Sequence, residues 1–201
     1  MTAHEYEINF VVDPIDDPFD DAIDNAMERL PGAVFASQGA GLMIVTTLVR
    51  GDDALRAALH AVKELENSGV RVRRSYPDLV SRQDIADRAK VTRQAVGNWV
   101  RGERLGQSPF PTPVTLVSGG AWLWHDVVVW LGPSDIELPE ICYPTLEEHA
   151  RLDALLASRA FPSKSELVKQ WSDLPFAPRH AGPVARWDAA DSNQRDYSLA
   201  S

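Results

Sequence analysis

Between Leu79 and Arg104 the chain reads LVSRQDIADRAKVTRQAVGNWVRGER, a stretch that admits little besides two short helices joined by a tight turn. Ser81 stands where a helix N-cap belongs, with Asp84 three residues later as its capping-box partner, so that each satisfies a backbone N–H left open by the first turn. Ile85, Ala86 and Ala89 then share the inward face of a helix about two turns long. After Lys90 and Val91, Thr92 caps a second helix in which Val96, Trp99 and Val100 make one stripe and Arg93, Gln94, Gly97, Asn98 and Arg101 make the other. One stripe is built to pack, the other to meet a partner.

The small residue Ala86, Ala89, Val91 closing the turn, and Val96 with Trp99 at the buried spacing resemble the helix-turn-helix of bacterial transcription regulators, of the winged MerR and excisionase type. The resemblance covers Pro77 to Leu131. It departs at Lys90, where that family usually has glycine, because a left-handed backbone costs a side chain about 1 kcal/mol. The resemblance implies a winged fold and double-stranded DNA as partner. In this motif the N-terminus of the second helix enters the major groove first. Thr92, Arg93, Gln94 and Asn98 are therefore the expected base readers, Arg93 toward guanine and Gln94 or Asn98 toward adenine. Arg82, Lys90, Arg101 and Arg104, at helix ends and in the turn, are expected at phosphates. Arg71, Arg73 and Arg74 either join them or pair with acids of their own module.

A net charge of −9 by itself opposes nucleic-acid binding, since affinity for DNA is largely phosphate neutralisation. The charge is segregated, however. Residues 70–104 hold nine bases and four acids, whereas residues 1–69 hold thirteen acids and four bases, and residues 105–201 twelve and seven. The single cysteine, Cys142, excludes an intrachain disulfide and suits a reducing cytoplasm. His4, His60, His125, His149 and His180 show no ligand spacing, so no metal or other cofactor is expected. With no long apolar run and no leader pattern in MTAHEYEINF, the expected location is cytoplasmic, away from any membrane.

Ahead of the basic segment, Tyr6, Ile8, Phe10 and Val12 alternate with more polar neighbours as in a strand with one buried face. Phe19, Ile23, Met27 and Leu30 make a helical stripe that closes at Pro31-Gly32, with Asp20, Asp21 and Asp24 at the end the helix dipole favours for acids. Two strand-like runs, Ala33 to Ser37 and Leu42 to Val49, flank Gly39-Ala40-Gly41. A helix from Asp52 with Leu55, Ala58, Leu59, Val62 and Leu65 inward, then a strand from Val70 to Tyr76, complete a βαββαβ order. This order resembles ferredoxin-like modules of the ACT type, in architecture alone. Gly39 and Gly41 lack phosphate-loop spacing, and the acids from Asp13 to Asp24 lack the pattern of a calcium loop.

After the motif, Val114 to Val117 and Ala121 to Trp124 flank Ser118-Gly119-Gly120, the expected wing hairpin, and His125 or Asp126 can cap a short helix through Val127, Val128, Trp130 and Leu131. Trp99 and Trp130 are expected in the core, with Trp122 or Trp124 the candidates for exposure. Thr145 and Glu148 form a second capping box before a helix to Ala160, whose Leu152, Leu155 and Leu156 dock on the wing module or pair with a second copy. Ser165 to Trp171 can add one or two helical turns, and the polar end of the chain reads as a loose tail.

These features predict an α+β chain: a ferredoxin-like dimerisation or sensing domain (1–76), a winged helix-turn-helix (77–132), a helical extension (133–172) and the tail (173–201). The expected function is sequence-specific transcription regulation as a homodimer on a palindromic operator. A dimer is expected because one short recognition helix buries too little surface for strong binding. The alternative is a protein-interaction adaptor or antitoxin-like module that uses the helix-turn-helix as a docking surface. No clustered base or nucleophile suggests an enzyme, and no feature identifies a small-molecule effector.

Overall fold

Strand β1 (His4–Val12) is the axis of the N-terminal half, because its alternation gives it one wholly apolar face: Ile8, Phe10 and Val12 are buried on it. It pairs antiparallel with β3 (Met43–Gly51) along its whole length and with β4 (Val72–Ser75) at its C-terminal end. β2 (Val34–Ser37) lies outside β3, giving a four-stranded antiparallel sheet in the order β2-β3-β1-β4. In this computed structural model, residues 3–39, 41–103 and 108–160 are described, and all belong to one unit, Met1–Phe161. The protein is mixed α+β, with six α-helices among the described residues. None of those helices is long and apolar enough to cross a membrane.

Helix α1 (Asp21–Arg29) is capped by Asp20, whose carboxylate accepts from the Ala22 N–H at 2.8 Å. That cap starts the helix two residues later than the apolar stripe suggests. Phe19 therefore falls outside it and is 85% exposed, and Met27 is 48% exposed, so only Ile23, Ala26 and Leu30 of this segment are buried. Helix α2 (Ala54–Asn67), capped by Asp53, buries Ala57, Ala58, Ala61, Val62 and Leu65 against the sheet. Thr47, wholly buried, avoids a desolvation cost by donating its hydroxyl to the Ile8 carbonyl.

Helix α6 (Leu146–Ala160), which completes this core, starts at the expected capping box. Thr145 N–H donates to Glu148 Oε2 at 2.8 Å, and Glu148 N–H to Thr145 Oγ1 at 3.2 Å. Its stripe does not dock on the segment expected to form the wing: Leu152 and Leu156 are buried in the core of the sheet beside α2, and Leu155 stays exposed. Sheet edge β4 makes this the better seat, because Asp153 also accepts from the otherwise outward Ser75 N–H at 2.6 Å. The segment before α6 ties in as well, Cys142 exchanging backbone bonds with Glu5 and Glu7 where β4 no longer covers β1. Positions 165–171 and the expected tail lie outside the described residues.

His149 of α6 is buried, its Nδ1 without a partner among the described residues. Burial holds its pKa below the ordinary imidazole value of 6.5, against opposing pulls from Asp153, Glu148 and Asp78. As the pH falls through 6.5 the unfolded chain takes up this proton first, so the contribution is full above that value and is lost toward the lower folded value. Denaturant unfolding is expected to show lower stability at acid than at neutral pH, and His149→Gln is expected to flatten that part of the profile.

Candidate nucleic-acid interface

A second core holds the basic segment together. β5 (Leu79–Val80) leads into α3 (Arg82–Arg88), whose N-terminus is closed by the Ser81–Asp84 capping box; hydrogen bonds from Ser81 hold the Asp84 carboxyl below its usual range. Ala89 ends α3, and Val91 N–H donates to the Ala86 carbonyl at 2.9 Å to fix the turn. Lys90 takes the left-handed conformation there, φ +54°. Replacing Lys90 with glycine is therefore expected to raise stability by about 1 kcal/mol, read from the urea midpoint.

Thr92 caps α4 (Arg93–Val100) by accepting from the Ala95 N–H at 3.1 Å. Val96 and Trp99 are buried as the stripe predicts. Gly97, however, is buried and not part of the exposed stripe; a Cβ on it would stand 3.4 Å from the Arg101 guanidinium. The described part of the following segment, from Ser108, carries Phe110 into a ring cluster, 4.9 Å from Trp130 and 5.9 Å from Trp122. Trp99 lies 5.4 Å from Trp130. Trp122 and Trp124 are buried too, so neither is the exposed exception for which they were the candidates: indole Nε1 of Trp122 donates to the Pro111 carbonyl, and Trp124 packs under Arg88 and beside Tyr143. No ring of the segment is thus presented as a stacking platform for single-stranded bases.

The hairpin expected as a wing is reduced to a single bridge. Thr115 and Ala121 form one antiparallel bridge around a 3-10 turn, Val117–Gly119, and Ser118 and Gly119 within it and Gly120 just after it all have positive φ. The arm beyond it, β6 (Trp122–Leu123), pairs with β5 instead of continuing the hairpin. Trp122 of this strand is buried in the core that holds α3, and Leu123, buried as well, faces the other way, toward Tyr76 and His149. Helix α5 (Trp124–Leu131) begins at Trp124 without a side-chain cap, so neither His125 nor Asp126 plays that part; His125 Nδ1–H donates to the Tyr143 carbonyl at 2.6 Å.

Arg93 and Gln94 are exposed on the first turn of α4 and have no side-chain partner among the described residues. Thr92 is exposed beside them with its hydroxyl committed to the cap, and Lys90 is exposed in the turn. Asn98, half-buried one turn beyond Gln94, accepts from Arg101 Nη2 at 2.5 Å. Arg101 is also paired with Glu103, at 2.6 Å from Nε and 3.2 Å from Nη2, which raises its own pKa and lowers that of Glu103. Arg82 is half-buried, its guanidinium 5.8 Å over the Trp122 ring with Nε unpartnered among the described residues. Arg104 lies outside the described residues. Arg73 pairs with Asp13, and Arg74 rests on Tyr76. Sequence reasoning missed two partners, Glu103 for Arg101 and Asp78 for Arg88. The first is visible as opposite charges two residues apart at a helix end; the second joins positions ten apart and has no local signal.

No protein-family model matches this sequence, and neither curated proteins nor solved structures give a significant match.

Proposed function

We propose that the chain is a sequence-specific, double-stranded-DNA-binding transcriptional regulator that acts as a dimer on a palindromic operator. In this reading residues 1–76 are a ferredoxin-like dimerisation or sensing module. Residues 77–132 are the winged helix-turn-helix, 133–172 a helical extension and 173–201 a tail. The β2-β3-β1-β4 order supports the first assignment, and the capped α3-turn-α4 unit with a short wing supports the second. The observation that carries the function is the exposed Arg93-Gln94 at the N-terminus of α4, unpaired among the described residues. That is the end from which such a helix reads base edges. Because Leu152 and Leu156 of α6 are buried within their own chain, the sheet is the remaining dimer surface, with Leu48 exposed on the face away from α1 and α2.

The test is duplex binding as a function of salt. Neutralised phosphates release counterions, so affinity falls steeply with salt, and Arg101→Ala is expected to weaken all sequences alike and reduce the slope by about one. A salt-independent association, or none, contradicts DNA binding.

The adaptor reading is favoured by one feature. The wing carries no charge between Ser108 and Trp124, and its tip is apolar, Leu116 being 81% and Val117 71% exposed. In that case Arg93→Ala and Gln94→Ala leave DNA affinity untouched while a protein partner is lost.

A further inference from the structure

The two edges of the four-stranded sheet are finished differently. At β4 the outward Ser75 N–H is taken by Asp153 of α6. At β2 the outer backbone edge has no partner among the described residues. Sheets usually guard such an edge with charge, proline or a covering element. Here no charged residue occurs from Leu30 to Val49. Beside the strand, α1 leaves a groove of about 620 Å³ lined by Ile23, Met27, Val34, Phe35, Met43 and, on its rim, Asp16. The acids that continue from that rim, Asp17, Asp20, Asp21 and Asp24, are all exposed, and among the described residues none of these five carboxylates is in an ion pair.

We propose that the β2 edge and this groove receive an extended, basic segment of a partner protein. The segment adds as a strand to β2, where main-chain bonds give affinity and every second side chain faces the groove. Apolar side chains at those positions fill the space between Met27 and Phe35, and lysine or arginine at the others meets the carboxylates of residues 16–24. Charge selects the occupant. A second copy would set one row of these acids against another, and like charges across an interface are repulsive. The surface is separate from the α4 face and does not depend on the DNA reading.

The probe is an eight-residue peptide alternating lysine and valine, titrated into the full-length protein with backbone amide shifts as the readout. Controls are the glutamate-valine and lysine-serine peptides. The expected result is saturable binding with shifts concentrated at Val34–Ser37 and Met43, at least tenfold weaker for both controls. Asp16→Lys and Met27→Lys, both surface substitutions, are each expected to weaken it about tenfold with an unchanged melting temperature. Equal binding of the lysine-serine peptide, or shifts spread over the acidic surface, overturns the proposal because the groove then contributes nothing. A dimer that dissociates on Met27→Lys overturns it as well, by assigning the edge to a second copy.

Discussion

Arg93→Ala and Gln94→Ala are each expected to relax base preference at one position of each operator half-site while the fold is unchanged. Both side chains project from the first turn of α4 with no intrachain partner among the described residues, so removing either costs no internal contact. A bidentate contact of arginine to guanine or of glutamine to adenine is worth about 1–3 kcal/mol of discrimination, roughly 5- to 150-fold. Competition binding against operators varied one base pair at a time measures it. Asn98 is expected to contribute less, because its carbonyl oxygen is already held by Arg101 and must be released before it can face a base. Equal loss across all sequences would move Arg93 to the phosphate contacts.

Trp122→Ala is expected to cost about 3–5 kcal/mol of stability, a large share of the 5–15 kcal/mol a domain of this kind holds. The ring is 1% exposed and sits where everything in the second core meets. Phe110 packs on it, Arg82 lies over it, and its N–H satisfies the Pro111 carbonyl. Gly120 approaches so closely that a Cβ there would stand 2.7 Å from the ring. Alanine would leave a cavity and loosen β6 from β5, so the loss is expected to include the fixed orientation of α3 and α4. Urea unfolding of the variant measures the cost; a change under 1 kcal/mol would mean the ring is not the support the packing implies.

The sheet and its two helices were legible because their signals are local. β1 alternates over the whole strand, and Gly32 and Gly69, both with positive φ, end segments that the hydrophobic stripes also end. The α3 and α4 caps were legible for the same reason, since each joins a side chain to a backbone N–H three residues on. Even the cost at Lys90 was, because the turn demands a left-handed residue there whatever its identity. What escaped depended on partners distant in sequence. An amphipathic stripe says that α6 docks but not where, and its seat beside β4 rests on Asp153 reaching Ser75. β6 could be matched to its neighbour across the glycine turn or to β5, and the pairing with β5 goes with the burial of Trp122 in the second core. Phe19 fitted the helical period but fell before the Asp20 cap, so period alone overextended α1. Of the proposed contact residues, the Arg93-Gln94 pair was readable from the helix register. The engagement of Asn98 and Arg101 with each other and with Glu103 was not, because side-chain pairing at a helix end depends on the chain beyond it.

In the proposed reading the α4 face engages duplex DNA as one half of a symmetric reader, and selection of bound duplexes from a random pool by the full-length protein tests that reading. The predicted result is an enriched inverted repeat whose half-sites lie about one helical turn apart, 10–10.5 base pairs centre to centre, with enrichment lost in Arg93→Ala. A pool that remains random after repeated rounds at moderate salt would contradict it.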